Sequence, residues 1–305
     1  MNWLVVVILA HLLNAVVFVI DKFLLSKAVK DTFSYVAAIG LLGAVVILLI
    51  PFVAFEYPGI WLLFVNLITG VFFIAALLYF FQSLQRNEAS RIVPLIGSTI
   101  PVITFILSFL FLGERLDSFE LLAFLVLIVG TFILTKEEKS HVQKKKFTIQ
   151  GLWGAFLAAF FFALSFVLNK YIFDTQPFWS GFIWIRIGSL LTIFALLLSS
   201  QRRLAIKTAV RKTKKRILGI FLGNQAIGAL GFILISYAIS LASVTLVNAL
   251  QGVQYALLLI LAIIASLKYP KILQENMSRS ALTQKFFGVI LIGAGLFILS
   301  FYGTA

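Results

Sequence analysis

The feature that most constrains this chain is a succession of long apolar runs separated by short polar breaks. Ten of them begin near Trp3, Phe33, Ile60, Ile92, Phe119, Ile149, Phe178, Ile217, Val244 and Phe286. A membrane-spanning helix needs about 20 mostly apolar residues. Hydrocarbon cannot hydrogen-bond a free backbone, and the runs are too long for barrel strands, so each predicts a helix. Composition points the same way. The chain is 62% hydrophobic and 12% charged, against roughly 45–50% and about 25% in soluble domains. It lacks the polar residues to cover a water-soluble globule. That excludes a soluble enzyme, a nucleic-acid-binding module and a disordered chain. The expected fold is an all-α membrane protein with ten transmembrane helices. The first run lacks a basic leading region and its sequence recurs later, which argues against a cleaved signal peptide.

Charge placement predicts orientation. The net charge is +14, from 25 Lys and Arg against 11 Asp and Glu. The loops after spans 1, 3, 5, 7 and 9 hold 22 of the 25 basic residues, including Lys22, Arg86, Lys136, Arg202 and Lys285. The even-numbered loops and both termini hold Arg115, while Lys170 and Arg186 fall within spans. Basic loops mark the cytoplasmic side. The odd loops are therefore expected in the cytoplasm and both termini outside, as in a multi-pass protein of the plasma (inner) membrane. The chain has no cysteine, so disulfides, thiolate metal sites and thiol catalysis are excluded.

The sequence also repeats itself. Phe18-Val-Ile-Asp-Lys-Phe23 returns as Phe166-Val-Leu-Asn-Lys-Tyr171, and Ile39-Gly40-Leu41-Leu42 returns in register as Ile187-Gly188-Ser189-Leu190. Gly130-Thr-Phe-Ile-Leu134 matches Gly295-Leu-Phe-Ile-Leu299. Spans 1–5 and 6–10 read as two copies of one unit: residues 1–135, a basic linker at 136–148, and residues 149–305. An odd number of spans per copy inserts the copies in opposite orientations. Inverted repeats place a solute site near the midplane between the halves and work by alternating access.

At this point the residues resemble a known family. Ile100-Pro101-Val102, followed by Phe111-Leu-Gly-Glu-Arg-Leu116 and an apolar helix ending near Gly130, look like the end of a repeat in the drug/metabolite transporter superfamily, EamA type. Lys22 at the end of span 1 fits that pattern. The second half departs from it, with Lys268-Tyr-Pro-Lys-Ile-Leu273 in place of the Gly-Glu-Arg-Leu segment and Glu275 as a displaced acidic counterpart. The resemblance implies ten spans in two inverted halves. It also implies transport of a small solute, such as an amino acid, a nucleotide sugar or a drug.

Polar groups within spans are the candidate solute-binding residues, because they are costly in lipid and turn inward. Arg186 is the one charged residue near the middle of a span, and its planar donor fork suits a carboxylate or phosphate. His11 and Asn14 share a face of span 1, continued by Phe18 and Asp21. Asn248, Gln251 and Tyr255 form a stripe on span 9, and Asn66 and Asn224 occupy near-equivalent places in spans 3 and 8. Pro94 and Pro101 free backbone carbonyls in span 4. Packing accounts equally for several of these: interhelical hydrogen bonds, plain kinks, or a snorkelling arginine. Gly219 and Gly223 form a GxxxG pair expected to pack closely against another helix. Trp3, Trp61 and Trp153 read as interfacial anchors.

The expected function is secondary transport of a small polar metabolite. A lipid-linked headgroup flippase is the alternative within transport, and a non-catalytic membrane assembly subunit is the alternative outside it. Nothing in the sequence calls for a cofactor or metal, and the two histidines, His11 and His141, give no catalytic cluster, so an enzyme is not expected. The basic run 202–216 is expected as a cytoplasmic loop on anionic headgroups rather than a nucleic-acid site. Pairing into a homodimer is compatible with the sequence.

Overall fold

The computed structural model describes residues 2–27, 31–86, 89–135, 149–213, 215–268 and 279–302. The linker expected at 136–148, His141 and the segment from Tyr269 to Glu275 lie outside the described residues. Every regular element among those described is helical: α1 (Trp3–Lys27), α2 (Thr32–Gly43) continued by a 3₁₀ segment (Ala44–Phe52), α3 (Ile60–Arg86), α4 (Ala89–Leu112), α5 (Ser118–Thr135), α6 (Ile149–Thr175), α7 (Phe178–Leu196), α8 (Ser200–Lys212), α9 (Lys215–Leu241), α10 (Val244–Ala249), α11 (Gln251–Lys268) and α12 (Arg279–Tyr302). Among the described residues, nine apolar segments are long enough to cross a membrane. A tenth, α5, has 18 residues, or about 27 Å of helix, close to the hydrocarbon thickness.

Local chemistry sets the ends of these helices. Asp31 caps α2 by accepting from the Ser34 amide at 2.8 Å and the Ser34 hydroxyl at 2.6 Å. Asp117 and Glu120 form a reciprocal capping box at the start of α5, at 2.8 and 3.0 Å. The turn before it needs Gly113, whose φ is +66°. Glu114 in the same turn accepts from the Thr245 hydroxyl at 2.8 Å, and Thr245 also meets Ser108 at 2.8 Å. The Gly-Glu pair of the recurring motif thus ties the α4–α5 turn to the first turn of α10.

Packing crosses between the two halves of the chain. α1 lies on α9 and α11, α6 lies on α3 and α4, α5 lies on α12, and α3 lies on α7. Small residues permit the close approaches, as expected where lipid supplies no hydrophobic drive between helices. A β-carbon on Gly288 would fall 2.8 Å from the Leu134 amide nitrogen. The outward surface is apolar, with Leu48, Phe52, Ile60 and Phe111 among its exposed side chains. Such a surface is stable only in an apolar solvent.

Four expectations are corrected. Span 9 is one crossing, Val244–Leu261, but not a uniform α-helix: α10 ends at Ala249 and α11 begins at Gln251, with Leu250 between them in a local turn that keeps right-handed helical dihedrals (φ −70°, ψ −2°) and involves no proline. Residues 200–212 form the helix α8 rather than a loop, because Arg203 donates to the Leu197 and Leu198 carbonyls, both at 2.9 Å, and closes the end of α7. A β-carbon on Gly219 or Gly223 would meet nothing within 4 Å, so this pair packs on no described part of the chain. Trp61 and Trp153 are exposed as interfacial anchors would be, but Trp3 is buried in the core.

Candidate functional site

Arg186 lies about midway along α7 and is 6% exposed. Its guanidinium carbon lies 4.1 Å from the ring centre of Phe232 on α9, 4.8 Å from Phe73 on α3 and 5.1 Å from Phe182 on α7. It also reaches α2, where a β-carbon on Gly43 would lie 3.5 Å from Nη1. Gly43 is the last α-helical residue of span 2, just before the chain tightens into the 3₁₀ segment. Among the described residues no carboxylate forms an ion pair with Arg186. Aromatic faces offset part of the cost of burying a cation, but they satisfy none of its five N–H donors. The cluster therefore presents a charged donor fork at a point where α2, α3, α7 and α9 converge.

The other candidates divide into those near this cluster and those elsewhere. Asn14 on α1 is close to it: a β-carbon on Gly231, the neighbour of Phe232, would lie 2.4 Å from the Asn14 Oδ1. His11, one turn away on α1, meets the Gln254 Oε1 through Nδ1 at 3.2 Å, while its Nε2 is buried without a partner among the described residues. Tyr255, next along α11, is buried with its hydroxyl directly over Gly97 of α4. Pro101 is buried one turn beyond, and its missing N–H leaves the Gly97 carbonyl without its helical donor. α1 thus carries a polar track from Arg186 to the local turn in span 9.

The remaining candidates have local partners. Asn248 is buried and donates to the Val244 carbonyl of its own helix at 2.9 Å. Gln251 is half-buried at the first position of α11. Asn66 donates to the Leu62 carbonyl at 2.6 Å and accepts from Gln176 at 3.0 Å. Asn224 donates to Asp21 at 2.5 Å. Pro94 lies in α4, and its side chain is outside those described. Sequence reasoning did not find the three phenylalanines: with 32 Phe in the chain, none stands out. Gln254 was visible as a polar residue but fell off the stripe drawn on an unbroken helix.

These features define a multi-span α-helical membrane protein with a buried cationic cluster between its helices. Residues 1–136 match the model of the EamA-like transporter family, a family of the drug/metabolite transporter superfamily. No curated protein matches the chain. A solved structure, described only as the crystal structure of a protein, superimposes with a TM-score of 0.65 over 98% of this chain and 96% of its own, at 17% sequence identity. At that identity the likeness shows the fold alone.

Proposed function

We propose that this chain is a secondary transporter of a small polar metabolite bearing a carboxylate or phosphate, such as an amino acid, working by alternating access between two inverted five-helix halves. Arg186 carries the reading. It is a buried cation whose described surroundings supply aromatic faces and no carboxylate, so the anion that completes it comes from the solute. Asn14, His11 and the polar residues of span 9 supply neutral donors and acceptors along the rest of the solute. The basic loops face the cytoplasm in this reading, and α8 lies on anionic headgroups there, with Leu204 and Val210 exposed among its basic residues.

The test is purified protein screened for thermal stabilisation by a panel of anionic, zwitterionic, neutral and cationic metabolites. A solute at 100 times its Kd stabilises by about 2.7 kcal/mol. Stabilisation is expected only from members carrying a carboxylate or phosphate, and it should vanish in Arg186→Gln. Equal stabilisation of both proteins by a neutral solute would overturn the assignment.

A further inference from the structure

Beyond Gly43, span 2 continues as a 3₁₀ helix of nine residues, Ala44–Phe52. Such runs rarely exceed about four residues, because their hydrogen-bond geometry is poorer than that of an α-helix. Nothing in the segment itself demands that form. Residues 44–50 read Ala-Val-Val-Ile-Leu-Leu-Ile, with no glycine and no polar side chain, and none of the nine residues is buried. By the sequence repeat, residues 44–48 correspond to residues 192–196, 148 positions further on, and those are α-helical within α7. One element thus takes a different form in each half. Pro51 sets the far limit of any conversion. It has no N–H and disfavours the α conformation at Ile50, so an α-helix continued from α2 would run through Leu49.

Both ends of the segment are fixed to α7, which runs antiparallel to it. At the near end, a β-carbon on Gly43 would lie 3.5 Å from the Arg186 Nη1. At the far end the chain turns extended at Val53, with φ −130° and ψ 159°, and the backbone of Glu56 is then clasped. Its N–H donates to the Ser180 hydroxyl oxygen at 3.2 Å, and its carbonyl accepts from that hydroxyl at 2.9 Å and from the Trp184 indole N–H at 3.0 Å. Phe55 stacks on Trp184, with ring centres 5.2 Å apart. Ser180 is fully buried, so its hydroxyl has no water to replace these bonds if they are lost. A 3₁₀ helix rises about 2.0 Å and turns about 120° per residue, and an α-helix about 1.5 Å and about 100°. Conversion of residues 44–49 would therefore draw Glu56 back by about 3 Å and swing it by about 120° about the helix axis. The short link 53–55, already extended at Val53, has little slack to absorb that, and no direct hydrogen bond survives such a displacement. The clasp and the 3₁₀ form require each other.

We infer that residues 44–49 are a conformational switch: a 3₁₀ helix while the Glu56 clasp on α7 is closed, and an α-helix once it opens, with the end of span 2 opposite the basic loops drawn back and rotated away from α7. The α form has the better backbone hydrogen bonds and is the one that the counterpart residues of α7 already hold. Three clasp bonds and one ring stack offset that preference in the closed form. Arg186 stands at the junction between the fixed and the moving part of span 2. In the transport reading, on which this step alone rests, the movement begins at the cluster that holds the solute's anion, and the clasp is the gate on that side. The change of helix itself involves no solute.

The chain has no cysteine, so spin labels can be placed at Phe52→Cys and Leu198→Cys, whose side chains are 83% and 80% exposed. These positions lie toward opposite ends of the contact between span 2 and α7, so their separation reports the rise of the segment. Distance distributions are recorded by double electron–electron resonance in lipid nanodiscs without solute. Ser180→Ala removes two of the clasp bonds, and Trp184→Phe removes the third while keeping a ring for Phe55. In the double variant the main distance should shorten by about 3 Å and stay narrow, because one ordered helix replaces another. Each single variant should divide between the same two distances. A double variant that keeps the parent distribution overturns the inference, because the clasp then restrains nothing. One that only broadens overturns it too, because release then yields disorder and not an α-helix. If the double variant fails to insert, Trp184→Phe decides alone, by the presence or absence of the shorter population. Neither substituted residue is among those assigned to the solute, so a negative result leaves the transport reading standing, and failure of the metabolite screen leaves the switch standing.

Discussion

The guanidinium of Arg186 stands 4.1 Å from the centre of the Phe232 ring, and the two side chains come from different helices, α7 and α9, which also meet there through Phe182, whose ring centre lies 6.1 Å from that of Phe232. The ring is a partner for the cation. Replacing it with leucine keeps the apolar bulk and removes the negative ring face. A desolvated cation–π pair is worth about 2 kcal/mol, so Phe232→Leu should lower stability by about that amount. The cost should shrink in an Arg186→Met background, where there is no cation to lose. Thermal unfolding of the four proteins in one detergent gives the coupling energy directly.

The glycine contacts predict opposite outcomes at equivalent positions. Gly70→Ala places a methyl group 2.4 Å from α7 backbone atoms, which no rotamer change can relieve. Forced separation of packed helices costs about 1–3 kcal/mol, and the melting temperature should fall. Gly228→Ala makes ordinary contact with Val17 at 3.5 Å and gains about 1 kcal/mol of helix propensity. It should be as stable as the parent or more so. Melting curves of the two variants check the contrast.

The polar residues of span 9 are unequally exposed. Single cysteines at Asn248, Gln251 and Tyr255 should react unequally with a small charged thiol reagent. Gln251→Cys, half-buried at the restart of the helix, should label faster than the other two, which are 6% exposed. Equal rates at all three would indicate one wet face along the span.

Orientation is open to a fusion test. With 22 of 25 basic residues in the odd-numbered loops, a reporter that works only after export should be active when joined after Ala305. Activity of a reporter that works only in the cytoplasm would reverse the assignment.

The sequence by itself determined that this chain crosses a membrane as helices, roughly where each crossing begins, and that Arg186 is the charge held at depth. Those properties are local. A run of some 20 apolar residues satisfies its own backbone wherever its neighbours lie, and a charge within such a run is conspicuous in any arrangement. Tertiary structure alone decided that three phenylalanines surround Arg186, that span 9 carries a local turn at Leu250 without a proline, that Asn224 reaches Asp21, and that Gly219 and Gly223 face away from the other described helices. Those facts depend on how each helix is rotated about its axis and which distant segment it meets. In a soluble protein the contrast between a wet face and a dry face reports that rotation. In a chain that is 62% hydrophobic, lipid-facing and core-facing sides are both apolar. The contrast is nearly absent, and only packing between segments as far apart as Asp21 and Asn224 sets the rotation.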